Sequence, residues 1–150
     1  MNLEWNGQER ITAPKAKVWA FINDPAKIAS CLPDLQSYDV KDAHNVDATV
    51  KVALGAVRGS FKFAIALVPG AGGNHMDLKI SGGGFGSVVN LLAGADLTEN
   101  ADGTTTLVWK GTASVSGPVA TIGGRVLDAQ SHRVISTTFE NVKNAVSQAA

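Results

Sequence analysis

One change of period at Gly117-Pro118 limits what this chain can become. From about residue 35 up to that point, apolar and polar side chains alternate with a period of two, the mark of half-buried strands. Beyond it, apolar residues recur at Val119, Ile122, Val126, Leu127, Val134, Ile135, Phe139, Val142 and Val146. That is the 3.6-residue spacing of an amphipathic helix of roughly 30 residues, about 45 Å long. A run of strands followed by one long helix is an α+β pattern.

The alternation resolves into a meander. Val46, Ala48, Val50, Val52 and Leu54 form one apolar face, and Gly55–Gly59 reads as a hairpin turn. Phe61, Phe63, Ile65 and Leu67 follow, then a turn at Pro69–Asn74, then Met76, Leu78 and Ile80. Gly82–Gly86 reads as a glycine-rich turn into Val89, Leu91, Ala93, Ala95 and Leu97. Asn100-Ala101-Asp102-Gly103 is rich in residues that tolerate positive φ, and leads into Leu107, Trp109, Ala113 and Val115.

The N-terminal third adds a strand and two short helices. Residues 2–11 read as a strand, with Gly7 breaking the alternation as a candidate bulge. Thr12-Ala13-Pro14 is a helix start, and Val18, Trp19, Phe21 and Ile22 give that helix its apolar face. Asp24 is placed to cap a second helix that Pro25 opens, and Pro33 prevents it from running on.

Each strand needs its apolar face covered, and only the C-terminal helix is long enough to do so. The expected architecture is a single domain over residues 1–150, a curved antiparallel sheet gripping that helix, with the two short helices plugging one end. Small residues leave room between the layers: there are 16 glycines, and Ala64, Ala66, Ala93, Ala95 and Ala113 lie in strands. Gly123-Gly124 falls inside the predicted helix, where each glycine costs about 1 kcal/mol relative to alanine. The pair predicts either a kink or close packing on the sheet.

Composition excludes several functions. Lys+Arg and Asp+Glu are both 13, so there is no basic excess to meet nucleic acid or anionic lipid. A single cysteine, Cys31, allows no intramolecular disulfide and suits a reducing cytoplasm. The N-terminus lacks the basic and apolar regions of a signal peptide, and no stretch reaches 18 uninterrupted apolar residues. His44, His75 and His132 fall in different elements and pair with no second ligand at metal spacing, so no metal is expected. Asp128 and His132 stand i, i+4 on the helix and read as a surface pair rather than an acid–base couple. Cys31 reads as a buried structural thiol. Gly82–Gly86 joins strands, so it is not a dinucleotide fingerprint. No nucleophile elbow, phosphate loop or carboxylate dyad is present, and no catalytic residue is assigned.

The segment Ile11-Thr12-Ala13-Pro14 through Val18-Trp19-x-Phe21-Ile22-Asn23-Asp24-Pro25 resembles the opening of the START-like (SRPBCC) helix-grip superfamily. Ile28-Ala29-x-Cys31-Leu32-Pro33, Val50-Lys51-Val52-x-Leu54-Gly55-x-Val57-x-Gly59-x-Phe61 and the ending from Gly117-Pro118 to Ile122-Gly123-x-Arg125-Val126-Leu127-Asp128 resemble the CoxG family of carbon monoxide dehydrogenase subunits. The resemblance covers nearly the whole chain. It departs at residues 81–96, which are more apolar here than is typical of the family. Members often continue into a C-terminal extension that can reach a membrane. The sequence ends at Ala150 without one, as a short member or a trimmed piece would.

The resemblance implies a helper of the molybdenum–copper carbon monoxide dehydrogenase, cytoplasmic and peripheral at the inner face of the cell membrane. It also implies a cavity suited to a respiratory quinone, menaquinone or ubiquinone, as a bound lipophilic small molecule. The ligand-contacting residues expected from the strand and helix faces are Phe63, Leu67, Leu78, Leu91, Trp109, Ile122 and Val126. Gln130 is expected to contact a polar headgroup. Phe85 and the apolar stretch Val88, Val89, Leu91 and Leu92 are expected to form a rim at the mouth, because one of their two faces must be exposed or covered by a partner. Three readings follow: a non-enzymatic carrier, a recruitment or assembly module with no carried ligand, and a small polyketide-cyclase-like enzyme. The apolar inward positions favour the first.

Overall fold

The computed structural model describes residues 1–54, 57–84 and 86–148. Strand β1 (Asn2–Ile11) is followed by helices α1 (Lys15–Ile22) and α2 (Pro25–Ser30). Six strands come next: β2 (Leu35–Val40), β3 (Asn45–Leu54), β4 (Val57–Pro69), β5 (His75–Gly84), β6 (Ser87–Glu99) and β7 (Thr105–Ser116). A 3-10 turn (Pro118–Ile122) leads into helix α3 (Gly124–Gln148). The seven strands form one antiparallel sheet in the order β1-β7-β6-β5-β4-β3-β2. Sequential hairpins build β2 to β7, and β1 pairs along the free edge of β7.

Local chemistry sets the elements. The Asp24 carboxylate accepts from the backbone N–H of Ala26 at 3.0 Å and of Lys27 at 3.4 Å, capping α2 as its position before Pro25 predicts. α1 is entered through Pro14, with no side-chain cap. The proposed bulge at Gly7 does not form, since β1 and β7 pair without a register shift from Asn2↔Ser114 to Ile11↔Thr105. The glycine faces Trp109 instead, and a Cβ there would lie 2.8 Å from the indole.

Three further expectations are corrected. Gly82, Gly83 and Gly84 are the end of β5, paired with Val89, Val88 and Ser87, so the connection to β6 is shorter than Gly82–Gly86. β2 is a strand that the alternation does not single out, because on this sheet edge Gln36 to Val40 are all exposed. The long helix starts at Gly124, not Pro118. Gly123 has φ 106°, which ends the preceding turn, and a Cβ at Gly123 or Gly124 would meet nothing within 4 Å. The glycine pair is therefore a break ahead of the helix, not a point of close packing. The Gly55–Gly59 turn falls partly outside the described residues.

The core divides in two. One cluster lies where α1 and α2 close the sheet, joining Ile11, Val18 and Ile22 to Val46, Ile65 and Leu107 and to Val142 and Val146 of α3. A smaller one joins Phe61, Val115, Val119 and Leu127 at the other end of the sheet. The space between the sheet and the first half of α3 separates them.

Candidate functional site: a cavity between sheet and helix

That space is a cavity of ≈ 260 Å³. Inward residues of six strands form its floor, among them Trp5, Val50, Phe63, Ile80, Leu91 and Ala113. Leu127, Val134 and Ile135 of α3 roof it, and Val119 of the 3-10 turn closes its near end. The void has a local origin. Ala113 pairs with Leu91 on one side and Leu3 on the other, and its single methyl leaves the middle of the floor low.

Polar groups gather on one side, where Asp34, Lys51, Gln130 and Ser131 border the cavity. Asp34 and Lys51 are exposed, so the opening lies here, between the α2–β2 segment, β3 and α3. The Asp34 backbone has φ 59°, and its carbonyl accepts from the Lys51 N–H at 2.9 Å. Its carboxylate accepts from Arg133 at 2.8 Å. The Arg133 Nε–H also donates to Gln130 Oε1 at 3.4 Å.

α3 is tied down on both flanks of the cavity. The Trp5 indole N–H donates to Asp128 Oδ1 at 3.1 Å, and Lys143 pairs with Glu9 of β1 at 2.8 Å. On the other flank Arg133 holds Asp34, and the Asn141 amide donates to the Cys31 carbonyl at 2.9 Å. The Cys31 thiol is buried, and that burial pushes its pKa up, as expected for an inert structural cysteine.

The expected ligand residues separate into groups. Phe63, Leu91 and Gln130 stand on the cavity wall. Leu67 and Leu78 belong to the core beneath α1 and α2, where the Trp109 ring lies 5.4 Å from that of Phe139. These three are inward on their strands but too far along them to reach the void. Ile122 sits in the 3-10 turn, off the wall, and Val126 is 48% exposed. The helix phase explains the latter: Leu127, Val134 and Ile135 share the inner stripe with Val142 and Val146, and Val126 is turned away from it. Phe85 lies outside the described residues.

Val88 and Leu92 are on the outer face of β6, 48% and 58% exposed, while Val89 and Leu91 face the cavity. This stretch is therefore exposed on one face, as its composition requires, but it forms wall and outer surface and the polar opening is elsewhere. Wall residues that the sequence reading passed over include Trp5, Leu127, Val134 and Ile135. The i, i+7, i+8 spacing of the last three, continued back from Val142, was the available signal.

Asp128 and His132 are 3.5 Å apart, both at least half exposed, and neither lines the cavity. Among the described residues no group of three or more His, Cys, Asp or Glu could hold a metal, and no helix is long and apolar enough to cross a membrane.

A family model for CoxG, a carbon monoxide dehydrogenase subunit, matches residues 7–147. The chain is similar to a conserved protein from Geobacillus kaustophilus, with a TM-score of 0.88 and 26% identity over 98% of this chain and 97% of that one. A START superfamily protein from Mycobacterium smegmatis aligns with a TM-score of 0.75 at 11% identity, over 98% and 99% of the two chains. The Zhui aromatase/cyclase from Streptomyces sp. R1128 aligns with a TM-score of 0.70 at 12% identity, over 99% and 95%. The fold is thus the START-like helix-grip fold. No curated protein matches the chain.

Proposed function

The chain belongs to the CoxG family of carbon monoxide dehydrogenase subunits, and from that premise we propose that it is a non-catalytic carrier of a lipophilic guest. The observation that carries this reading is the ≈ 260 Å³ cavity, apolar on floor and roof and polar only at one edge. Apolar surface buried there contributes roughly 25 cal/mol per Å². The guest we favour is a respiratory quinone, menaquinone or ubiquinone. It would accept two electrons and two protons that originate in the molybdenum–copper dehydrogenase and take them as a quinol to the membrane chain. Drug-sized ligands usually occupy roughly 300–1,000 Å³. The cavity is smaller, so it suits a short length of apolar chain, with the polar ring of the guest at the opening. Exchange with the bilayer would place the protein transiently at the inner face of the membrane.

Organic extraction of the protein from its native cell, followed by mass spectrometry, should recover a quinone or another lipid. The purified protein should also take up quinone from liposomes. An empty cavity together with no uptake would sink the carrier reading.

A second reading, a recruitment module for the dehydrogenase, draws on the exposed Val88 and Leu92. Under it, Leu92→Asp abolishes capture of the dehydrogenase while guest uptake is retained. A cyclase-like enzyme needs polar side chains converging inside the cavity, and here they are confined to the edge.

A further inference from the structure

Which end of a guest lies innermost is written into the hydrogen bonds at the opening. Two acceptors border it, the Asp34 carboxylate and the Gln130 side-chain carbonyl. Arg133 engages both, through a 2.8 Å ion pair and a 3.4 Å hydrogen bond. With Oε1 turned towards Arg133, the Gln130 NH₂ group is left to donate. Among the described residues, no acceptor is bonded to that NH₂ or to the Ser131 hydroxyl. The opening therefore presents unpaired donors, while its carboxylate and its amide carbonyl are each drawn to Arg133. The opposite wall, at β1, carries Leu3 and Trp5, and the Trp5 N–H is already spent on Asp128.

We infer that the opening is a subsite for an acceptor-rich polar group, a carbonyl or a carboxylate, and that the guest enters apolar end first. This rests on the carrier reading and adds orientation and selectivity to it. Asp128 and Gln130 are two residues apart, so they face opposite sides of α3. A guest held at Gln130 runs beneath the helix, and its apolar end arrives at Trp5. A molecule whose polar end is an uncharged alcohol meets the same Gln130 and Ser131 groups but offers them fewer acceptor lone pairs and no charge.

Two isomers of decanoic acid test the orientation, one with bromine beside the carboxyl group and one with bromine on the terminal carbon. Bromine quenches indole fluorescence only near contact. In Trp19→Phe/Trp109→Phe protein, where Trp5 is the sole tryptophan, the terminal bromine should quench and the carboxyl-side bromine should not. If that double variant does not fold, the same contrast is read in the unaltered protein above a constant background. Calorimetry measures binding separately. Equal or reversed quenching by isomers that bind overturns the inference, whereas no binding of either isomer overturns the carrier reading beneath it.

Selectivity is tested with Arg133→Leu. Its side chain is about half exposed, so folding should persist, as circular dichroism can check. Releasing the Asp34 carboxylate at the opening should weaken decanoate about tenfold or more. Decanol should hold its affinity or gain. Equal losses for decanoate and decanol, or no loss for either, overturn the acceptor-binding subsite.

Discussion

Gly7→Ala is the smallest change that probes how β1 is held against the sheet. The new Cβ would lie 2.8 Å from Cζ2 and 2.9 Å from Cε2 and Nε1 of Trp109. Relaxed carbon contacts are about 3.5–4.0 Å, so the indole would have to retreat by about 1 Å. It is not free to do so. Its ring packs at a tilt against Phe139 of α3 at 5.4 Å, and its N–H reaches Glu9, which is ion-paired to Lys143. Overpacking of this kind costs about 1–3 kcal/mol. Removing a glycine from a strand returns about 0.5–1 kcal/mol. The net expectation is a loss of about 1–2 kcal/mol, or about 2–8 °C in Tm for a domain of this size. Thermal unfolding followed by circular dichroism measures it, and a double-mutant cycle with Trp109→Leu isolates the cause. With the indole gone, Gly7→Ala should be neutral or stabilising. An equal loss in both backgrounds would refute the steric argument.

Three shorter predictions concern capping and titration. Asp24→Ala removes both bonds to the start of α2 and should cost about 1 kcal/mol, read as a lower urea midpoint. His75 sits between Asp96 at 2.7 Å and Asp77 at 2.8 Å, and these two carboxylates raise its pKa above 6.5. Its contribution to stability is therefore present below pH 6.5 and is lost as the pH rises through the raised value. The site is exposed, so the effect is small. An NMR titration of His75 should show the upward shift, and Asp96→Asn should reduce it; an unshifted ring contradicts the arrangement. Cys31 should react slowly with thiol reagents in the native protein and rapidly in denaturant, and rapid native labelling would contradict its burial.

The layers of the fold were legible because period and punctuation agree with the tertiary demand at most positions. Asp24-Pro25 marks a capped helix start in any context. The alternation in β3 and β4 places Val46, Ala48, Phe61 and Ile65 inward, and all four are buried. What the pattern lacks is depth along a strand. Phe63 and Leu67 are both inward on β4, yet the first borders the cavity and the second is packed under α1 and α2. Alternation reports which face a side chain takes, not what lies opposite it. The helix erred by phase, because adjacent apolar residues Val126 and Leu127 fit a helix starting at Pro118 equally well. Once the start moves to Gly124, the stripe through Val142 and Val146 selects Leu127. Gln36 to Val40 left little trace of their strand, since an edge strand exposed on both faces needs no apolar alternation.

The two halves of α3 hold different jobs, and a matched pair of truncations separates them. Val146 is 1% exposed in the core beneath α1, whereas Val134 borders the cavity. Val146→Ala deletes two buried methyl groups from a filled site. At about 0.8 kcal/mol per group plus a term for the new void, the loss should be about 2 kcal/mol, or about 4–8 °C in Tm. Val134→Ala only enlarges a void that already exists, so its stability loss should stay below about 1 kcal/mol. The same deletion removes a surface that a guest would touch, so uptake from liposomes should weaken in Val134→Ala and hold in Val146→Ala. Equal stability losses would mean that the space under the first half of α3 is closed in solution. That result would remove the physical basis for carriage, because a helix packed along its whole length leaves no room for a guest.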